Sequence, residues 1–297
     1  MSTVLTLTVT EEQLRKFARL IYEHTGIQIS PQKKALLSNR LRRRLRATGL
    51  SSFDAYFDTL ASTDVSDPEW DAFLEEITTH ETFLFRDPAQ WDWFAESFLP
   101  EIQAEARKGM RPRRLRIWSA ACSSGDEPVT MACCIADKML TVSDWQIEIL
   151  ATDIGAATLE KAQATTFGAR AMRNVSETLR RRWFVQNAPE RWAAKPHLRK
   201  WITFRQHNLL DPLPAAPFDL IVVKNVLIYF DAASKQRVFD NVDRALKPGG
   251  LLMTGAAEGI SELLKHYERR HPWLHRKTSN SDAQPSTHPG GNADGHQ

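Results

Sequence analysis

The first part of the chain carries apolar residues at the spacing of one helix face. Leu37, Leu41 and Leu45 recur four residues apart and are followed by Gly49, a residue type that commonly ends helices. The stretches TVTEEQLRKFARLIYEHTG, SSFDAYFDTLA and DPEWDAFLEEITT show the same amphipathic pattern, with no strand-like run between them. The pattern predicts a small helical domain over residues 1–78.

From residue 114 onward, short apolar runs alternate with helical stretches. LRIWSAA, QIEILATDI, FDLIVVKNVLIYF and GLLMTG have the length and composition of buried strands. Strands that alternate with helices indicate a parallel sheet covered by helices. We therefore predict a second domain, of the α/β class, over residues 79–277.

Residues 176–207 break this alternation, because they are basic and carry Trp183, Trp192 and Trp201. The stretch predicts an inserted β-subdomain with one helix and short antiparallel strands. We expect its tryptophans to pack it against the main sheet, and a docking surface is the alternative. Residues 278–297 are rich in turn formers and have no large apolar side chain. Such a composition is typical of a disordered tail.

Composition narrows the class of protein. Hydrophobic residues make up 42% of the 297 positions, and a net charge of +3 does not by itself indicate nucleic-acid binding. Cys122, Cys133 and Cys134 have no CxxC spacing, so we expect reduced thiols and no metal site. No run approaches the roughly 20 apolar residues that span a bilayer. We expect a cytoplasmic protein without membrane insertion.

Polar residues follow each predicted strand at the edge where a doubly wound sheet binds its ligands. The first strand runs into WSAACSSGDEP, which contains Glu127, and the second ends in Asp153, at a spacing suited to ribose hydroxyls. Asn208 follows WITF and is a candidate to contact an adenine edge, while Lys224 and Asn225 follow FDLIVV. Together these residues predict a pocket for an adenosine that bears no phosphate.

Two ligands share the features of that pocket. S-adenosylmethionine fits, since it joins ribose and adenine to an α-ammonium and a sulfonium. NAD is the alternative, but the chain lacks G-x-G-x-x-G, and Asp126 and Glu127 would face its pyrophosphate. A helix N-terminus whose dipole favours acids explains either carboxylate alone, but not all the strand ends together.

The motifs THETFLFRD, RIWSAACSSGDEP, ATDI, HNLLD and FDLIVVKNVLIYFD occur in this order, and RLRRRLRATGLSSFDAY precedes them. Over roughly residues 10–277 the chain resembles the CheR family, S-adenosylmethionine-dependent methyltransferases that esterify glutamate side chains of bacterial chemoreceptors. The resemblance implies a Rossmann-like class I methyltransferase domain, an all-helical N-terminal domain and a small inserted β-subdomain.

The resemblance also implies roles for individual residues. Glu127 matches the acid that holds the methionine end of the cofactor, and Asp153 matches the ribose ligand. His80 stands where the family often has asparagine, and Lys224 replaces an arginine, which keeps the charge but loses the planar fork. The residues expected at the cofactor, S-adenosylmethionine or its product S-adenosylhomocysteine, are His80, Thr82, Arg86, Glu127, Asp153, Asn208, Leu209, Lys224 and Asn225.

Methyl transfer to a carboxylate needs no general base, because a glutamate with an ordinary pKa of about 4.3 is already ionised at neutral pH. Arg86 and Tyr229 are the predicted catalytic residues: Arg86 fixes the incoming carboxylate, and the Tyr229 hydroxyl positions it or the methyl group. The alternatives are a surface salt bridge from Arg86 to Asp87 and a core position for Tyr229 beside Phe230.

The helix predicted at 31–47 carries a run of arginines and no acid to pair with them. A solvated charged face is the common explanation, but a face of one sign also suits an acidic partner. The resemblance implies that this partner is the chemoreceptor cytoplasmic domain, bound through Arg40, Arg43 and Arg46, and not nucleic acid. We expect a monomer, and the compact stretch Phe184 to Ile202 makes binding of a tethering receptor peptide doubtful.

Two other functions stay open at this point. A non-catalytic, cofactor-binding regulator is one, although such a protein would be expected to have lost some of Arg86, Glu127, Asp153 and Tyr229. A methyltransferase of small molecules or nucleic acid is the other. Amino methylation of nucleic acid would favour N-P-P-Y or D-P-P-Y where this chain has KNVLIY.

Overall fold

A computed structural model describes residues 6–139 and 141–278, so the predicted tail lies outside the described residues except for Thr278. The helices are α1 (Glu11–Thr25), α2 (Lys34–Thr48), α3 (Phe53–Ser62), α4 (Pro68–Ile77), α5 (Pro88–Trp93), α6 (Leu99–Arg107), α7 (Asp126–Lys138), α8 (Ala156–Ala164), α9 (Ala169–Met172), α10 (Glu177–Trp183), α11 (Pro196–Arg199) and α12 (Ala232–Ala245). The strands are β1 (Arg114–Ala120), β2 (Gln146–Asp153), β3 (Thr166–Gly168), β4 (Phe184–Ala188), β5 (Arg191–Ala194), β6 (Ile202–Gln206), β7 (Phe218–Val223), β8 (Leu246–Thr254), β9 (Tyr267–His271) and β10 (Leu274–Lys277).

Helices α1 to α4 enclose a core of their own, centred on Phe17, Tyr56 and Trp70. Thr10 begins α1 with a capping box, and Gly26 ends it in a left-handed conformation with a φ of 70°. Gly26 also lies against the second domain, where an added Cβ would approach Ser234 Oγ to 2.9 Å. The apolar spacing thus predicts these helices, as the structure confirms.

The main sheet has the strand order β6-β2-β1-β7-β8-β10-β9. The pairs from β6 to β8 are parallel, and β10 joins them antiparallel to β8. Separate apolar clusters cover the two faces of this sheet, one under α6 and α7 and the other under α12. The strand order reverses between β1 and β7, so the ligand crevice of a doubly wound sheet is expected at the carboxyl ends of these strands.

A second sheet, in the order β3-β5-β4, forms the small subdomain. This corrects the predicted insert at 176–207 at both ends. Strand β3 adds the three residues Thr166–Gly168, which are too few to give a periodic pattern. Strand β6 leaves the insert, because it pairs in parallel with β2. Trp183 and Trp201 are buried in the cluster that joins the subdomain to the main sheet, as predicted.

The helical domain covers the carboxyl ends of the parallel strands from two sides. On one side the Gln28 N–H donates to the Tyr229 carbonyl at 2.9 Å. On the other, Glu75 of α4 accepts hydrogen bonds from Thr158 at 2.7 Å and from Lys161 at 3.0 Å, both on α8. The crevice therefore becomes a pocket between the domains. None of the helices in the two described ranges is long and apolar enough to cross a membrane.

Candidate active site

The pocket is bounded by the loops after β1, β2, β6 and β7, by α2, and by the segment between α4 and α5. Every residue predicted at the cofactor lines it, as do Tyr229 and Arg40. Its other lining residues are Thr25, Ile27, Ile29, Lys33, Leu36, Leu37, Ile77, Thr78, Thr79, Glu81, Phe83, Trp91, Ala121, Cys122, Ser123, Ile154, His207, Val226 and Phe230.

The loop after β1 makes a tight turn into α7. Gly125 has a φ of 84°, and a Cβ there would lie 3.0 Å from that of Ala162, so only glycine fits. Glu127, in the first turn of α7, accepts a hydrogen bond from the Ser119 hydroxyl at 2.7 Å. Burial raises the pKa of Glu127, while the nearby charge of Lys224 lowers it. The loop therefore presents a carboxylate suited to a cationic group and offers no cation for a phosphate.

Asp153 ends β2 at the floor of the pocket. One carboxylate oxygen accepts the Ser123 N–H at 2.8 Å, and the other accepts the Gly155 N–H at 3.0 Å. These bonds fix the carboxylate and leave each oxygen with further acceptor capacity. Asp153 lines the pocket with this remaining acceptor capacity, which is the chemistry that ribose hydroxyl groups would need.

Asn208 is held by the protein itself. Its side-chain amide donates to the His24 carbonyl at 2.7 Å, and its oxygen accepts the Leu210 N–H at 3.1 Å. The amide thus joins the helical domain to the loop after β6, so a side-chain contact with adenine would cost these bonds. Leu209 supplies apolar surface at this end of the pocket.

His207 also lines this end of the pocket and was not predicted from the sequence. Its ring packs edge-on against Trp118, with ring centroids 5.8 Å apart. Burial lowers the pKa of His207, and the charge of Arg205 adds to the effect. A neutral, flat side chain is therefore expected beside the predicted adenine position.

Arg86 lies at the side of the pocket. Its Nη1 donates to the Glu81 carbonyl at 3.0 Å, and its guanidinium lies 5.7 Å from the centre of the Phe83 ring. In the part of the chain that the structure describes, no carboxylate pairs with it. The alternative salt bridge is wrong, because Asp87 pairs instead with Lys224 at 3.0 Å. Arg86 is left with donors for an acidic ligand.

Lys224 is almost fully buried, with 3% of its side chain exposed. Besides Asp87, its ammonium approaches the Arg86 carbonyl at 3.4 Å and the Trp91 ring centre at 5.0 Å. These contacts join the end of β7 to the segment that carries Arg86. A lysine makes them as a compact point charge, without the fork of arginine.

His80 and Thr82 lie on the same segment, between α4 and α5. His80 Nε2 is 2.6 Å from the Thr78 hydroxyl and 3.6 Å from a Glu75 carboxylate oxygen. Thr82 lines the pocket and is half-buried. Both residues therefore line the pocket, and their contact with the cofactor stays a prediction.

Tyr229 ends the short 3₁₀ turn Leu227–Tyr229 after β7. It is half-buried and lines the pocket, so the alternative core position is wrong. Lys33 Nζ lies 5.4 Å from the centre of its ring. The ring thus lines the pocket and contacts a cation of the helical domain.

Two arginines of α2, Arg43 and Arg44, pair with acids of α4, which the sequence of α2 itself does not contain. Arg43 pairs with Glu76 at 2.6 Å, and Arg40 donates to the Thr79 hydroxyl at 3.1 Å and to the Ile77 carbonyl. Burial lowers the pKa of Arg40. The predicted single-signed face is therefore wrong, because α4 neutralises part of it. Arg46 remains exposed and has no ion pair within the described ranges.

The sheet order, and a pocket at its switch point that Glu127 and Asp153 line, are those of a class I S-adenosylmethionine-dependent methyltransferase. Residues 80–272 match the SAM-binding domain of CheR methyltransferase, and residues 12–78 match its all-alpha domain. The chain belongs to the CheR methyltransferase family, and S-adenosylmethionine is its cofactor.

Named relatives are similar over most of their length. Chemotaxis protein methyltransferase 1 of Pseudomonas aeruginosa is 35% identical over 257 residues, which cover 84% of this chain and 91% of the relative. The chemotaxis protein methyltransferase of Escherichia coli is 32% identical over 270 residues, which cover 89% of this chain and 90% of the relative. That of Salmonella typhimurium is 32% identical over 270 residues, covering 89% of each chain.

Proposed function

We propose that the protein transfers a methyl group from S-adenosylmethionine to glutamate γ-carboxylates on chemoreceptor cytoplasmic helices. The resulting glutamate methyl esters would serve chemotactic adaptation. One observation carries the proposal: Arg86 lines the cofactor pocket without a carboxylate partner among the described residues. A guanidinium in that position matches an acidic acceptor. The printed names of the relatives, which are chemotaxis protein methyltransferases, support the same conclusion.

The chemistry needs orientation and does not need a base. When bound, S-adenosylmethionine would supply a methyl group on a sulfonium. A carboxylate oxygen would attack the methyl carbon, and the carbon–sulfur bond would break as the carbon–oxygen bond forms, so that S-adenosylhomocysteine leaves and no proton has to be removed. Glu127 would hold the α-ammonium of the methionine end, and Asp153 would hold the ribose hydroxyls. Arg86 fixes the acceptor carboxylate, and the Tyr229 hydroxyl restricts its approach. Aligning reacting atoms in this way removes entropic cost from the barrier.

The helical domain brings cations to the mouth of the pocket. Lys33, directly before α2, and Arg40 of α2 line the pocket, and Arg46 is exposed on α2. We expect these residues to attract the acidic surface of the receptor, so that electrostatic steering raises the rate of encounter. The receptor surface would then contact both domains.

The experiment is incubation with methyl-labelled S-adenosylmethionine and purified chemoreceptor cytoplasmic fragments. The expected result is label on the fragment that mild base releases as methanol, because methyl esters hydrolyse where amine methylation does not. Fragments in which the acceptor glutamates are replaced by alanine serve as the control. Base-stable label, or no label on any fragment, would contradict the proposal.

Charge reversal on α2 should slow methylation of the receptor and leave the affinity for S-adenosylmethionine unchanged. Arg46→Glu is the informative variant, because Arg46 is exposed and unpaired in the described structure, whereas Arg40 is bonded to Thr79. We expect kcat/KM for receptor fragments to fall roughly 2- to 5-fold at low salt, the scale of one exposed ion pair. Added salt should reduce the difference in kcat/KM between Arg46→Glu and the wild type, because salt screens exposed charges.

Arg269→Glu is the matched control for this variant, since it makes the same charge change at an exposed position of β9, the edge strand of the main sheet. It should leave kcat/KM unchanged. Equal losses from both variants would show that only net charge matters, and would rule out α2 as the contact surface.

A further inference from the structure

Glu258 is a buried carboxylate that follows β8 and is 2% exposed. We propose that it is a positioning residue, which holds the loop from Asn225 to Tyr229 in the conformation required for methyl transfer. The inference rests on the proposed function for the roles of Asn225 and Tyr229. Glu258 does not itself line the pocket, so it is additional to the site residues described above.

The carboxylate bonds to the backbone of that loop. One oxygen accepts the Leu227 N–H at 2.8 Å, and the other accepts the Asn225 N–H. Among the ion pairs of residues 6–139 and 141–278, none includes Glu258. Burial raises the pKa of Glu258, and the backbone N–H groups of the loop oppose that rise. Its interactions are thus directed almost wholly at the loop.

The loop needs such an acceptor because its own backbone does not provide one. Asn225 has a φ of 58°, a left-handed conformation that takes the chain out of the β7 ladder. The bonds inside the turn start later, with the Tyr229 N–H donating to the Val226 carbonyl at 3.1 Å. Without Glu258, the N–H groups of Asn225 and Leu227 would be unpaired beside the pocket, which is unfavourable.

The chain also makes room for this carboxylate. A Cβ at Gly255 would overlap Glu258 Oε1 and would lie 3.1 Å from the Asn225 nitrogen. Only glycine at this position lets the acid and the loop approach each other. The sequence TGAAEG at the end of β8 thus has two linked features. Gly255 leaves space for the Glu258 carboxylate, and that carboxylate accepts the N–H groups of the loop.

The loop is held at its other end by the helical domain, where Gln28 bonds to the Tyr229 carbonyl. Glu258 therefore fixes the end that begins with Asn225, directly after Lys224. Both of these residues line the pocket, as does Tyr229. A shift at the Glu258 end would move all three relative to the cofactor, and misplacement by about 1 Å can cost on the order of 100-fold in rate.

Glu258→Gln tests this role, because glutamine keeps the shape and one acceptor but turns an NH₂ group toward a backbone N–H. Hydrogen exchange of a peptide covering residues 224–230 should accelerate at least about 10-fold, since a lost hydrogen bond to an ionised acceptor has that scale. The affinity for S-adenosylmethionine should fall by a smaller factor, and kcat on receptor fragments by about 100-fold. Glu258→Asp, which retains the charge, should recover part of kcat.

Asp219→Asn is the matched control, since Asp219 is also a buried carboxylate and accepts the Arg116 N–H at 2.8 Å near the start of β7. It should lower stability without accelerating exchange in 224–230 or reducing kcat. Unchanged exchange and cofactor affinity in Glu258→Gln would overturn the proposal, as would equal losses of kcat in both variants. Exchange and cofactor affinity need no receptor, so they test the inference even where the wild type methylates no fragment.

Discussion

Asp153→Asn should weaken the binding of S-adenosylmethionine by about 100-fold, the scale expected when one partner of a buried, charged hydrogen bond is removed. Both oxygens of Asp153 accept backbone N–H groups, from Ser123 and Gly155. The amide of asparagine would place a donor against one of these donors. The ribose would then lose an acceptor, and the turn after β1 would lose its support.

Isothermal titration of the folded variant measures this effect. Asp231→Asn is the control, since Asp231 also accepts a backbone N–H, from Ser234 at 2.8 Å, but caps α12 and does not line the pocket. It should change stability and leave cofactor affinity within about twofold of the wild type, a change of under about 0.5 kcal/mol. Wild-type affinity in Asp153→Asn would remove Asp153 from the cofactor site.

Arg86→Ala should lower kcat on receptor fragments by about 100-fold, the loss typical of removing one oriented charged donor. Arg86→Lys should recover only a fraction of this activity, because lysine keeps the charge but cannot form the bidentate contact. Tyr229→Phe should give a smaller loss of kcat, since it removes one hydroxyl and leaves the ring that Lys33 approaches.

Arg173→Ala is a matched control for Arg86→Ala. The Arg173 guanidinium lies 3.4 Å from the centre of the Phe83 ring, which Arg86 also approaches, but Arg173 does not line the pocket. Turnover measured at saturating cofactor should therefore be close to that of the wild type. Near-normal turnover in both Arg86→Ala and Tyr229→Phe, with cofactor affinity intact, would show that the catalytic assignment is wrong.

The fold was accessible to sequence reasoning wherever a local pattern decides the structure. Thr10 and Gly26 bound α1 because a cap and a left-handed glycine act within one turn. The apolar runs predicted β1, β2 and β7, since strands buried on both faces are apolar throughout. Strand β3 carries no such pattern in its three residues, and it forms because β5 pairs with it.

In the site, too, some features follow from the local sequence and others depend on tertiary contacts. Residues that follow the strands were predicted to meet, because parallel strands bring their carboxyl ends to one edge, and Glu127, Asp153 and Asn225 do line one pocket. The partners of those residues depend on tertiary contacts. The bond from Asn208 to His24 and the pairing of Arg43 with Glu76 cross between separate elements, so neither helix nor loop patterns reveal them.

Glu258 could have been suspected from its position alone. It comes shortly after the strand GLLMTG, as Asp153 stands at the end of its own strand, β2, but it was not among the predicted site residues. What the sequence does not supply is its orientation. The contact with the Asn225 N–H depends on the left-handed turn after β7 and on the absence of a side chain at Gly255.

Mass spectrometry of a receptor fragment after reaction with S-adenosylmethionine tests the central claim most directly. We expect the mass of one methyl group to be added at a glutamate side chain, mild base to remove it, and Arg86→Ala to suppress it. Methylation at a lysine, an arginine or a chain terminus, or an unmodified fragment alongside demonstrated cofactor binding, would contradict the account.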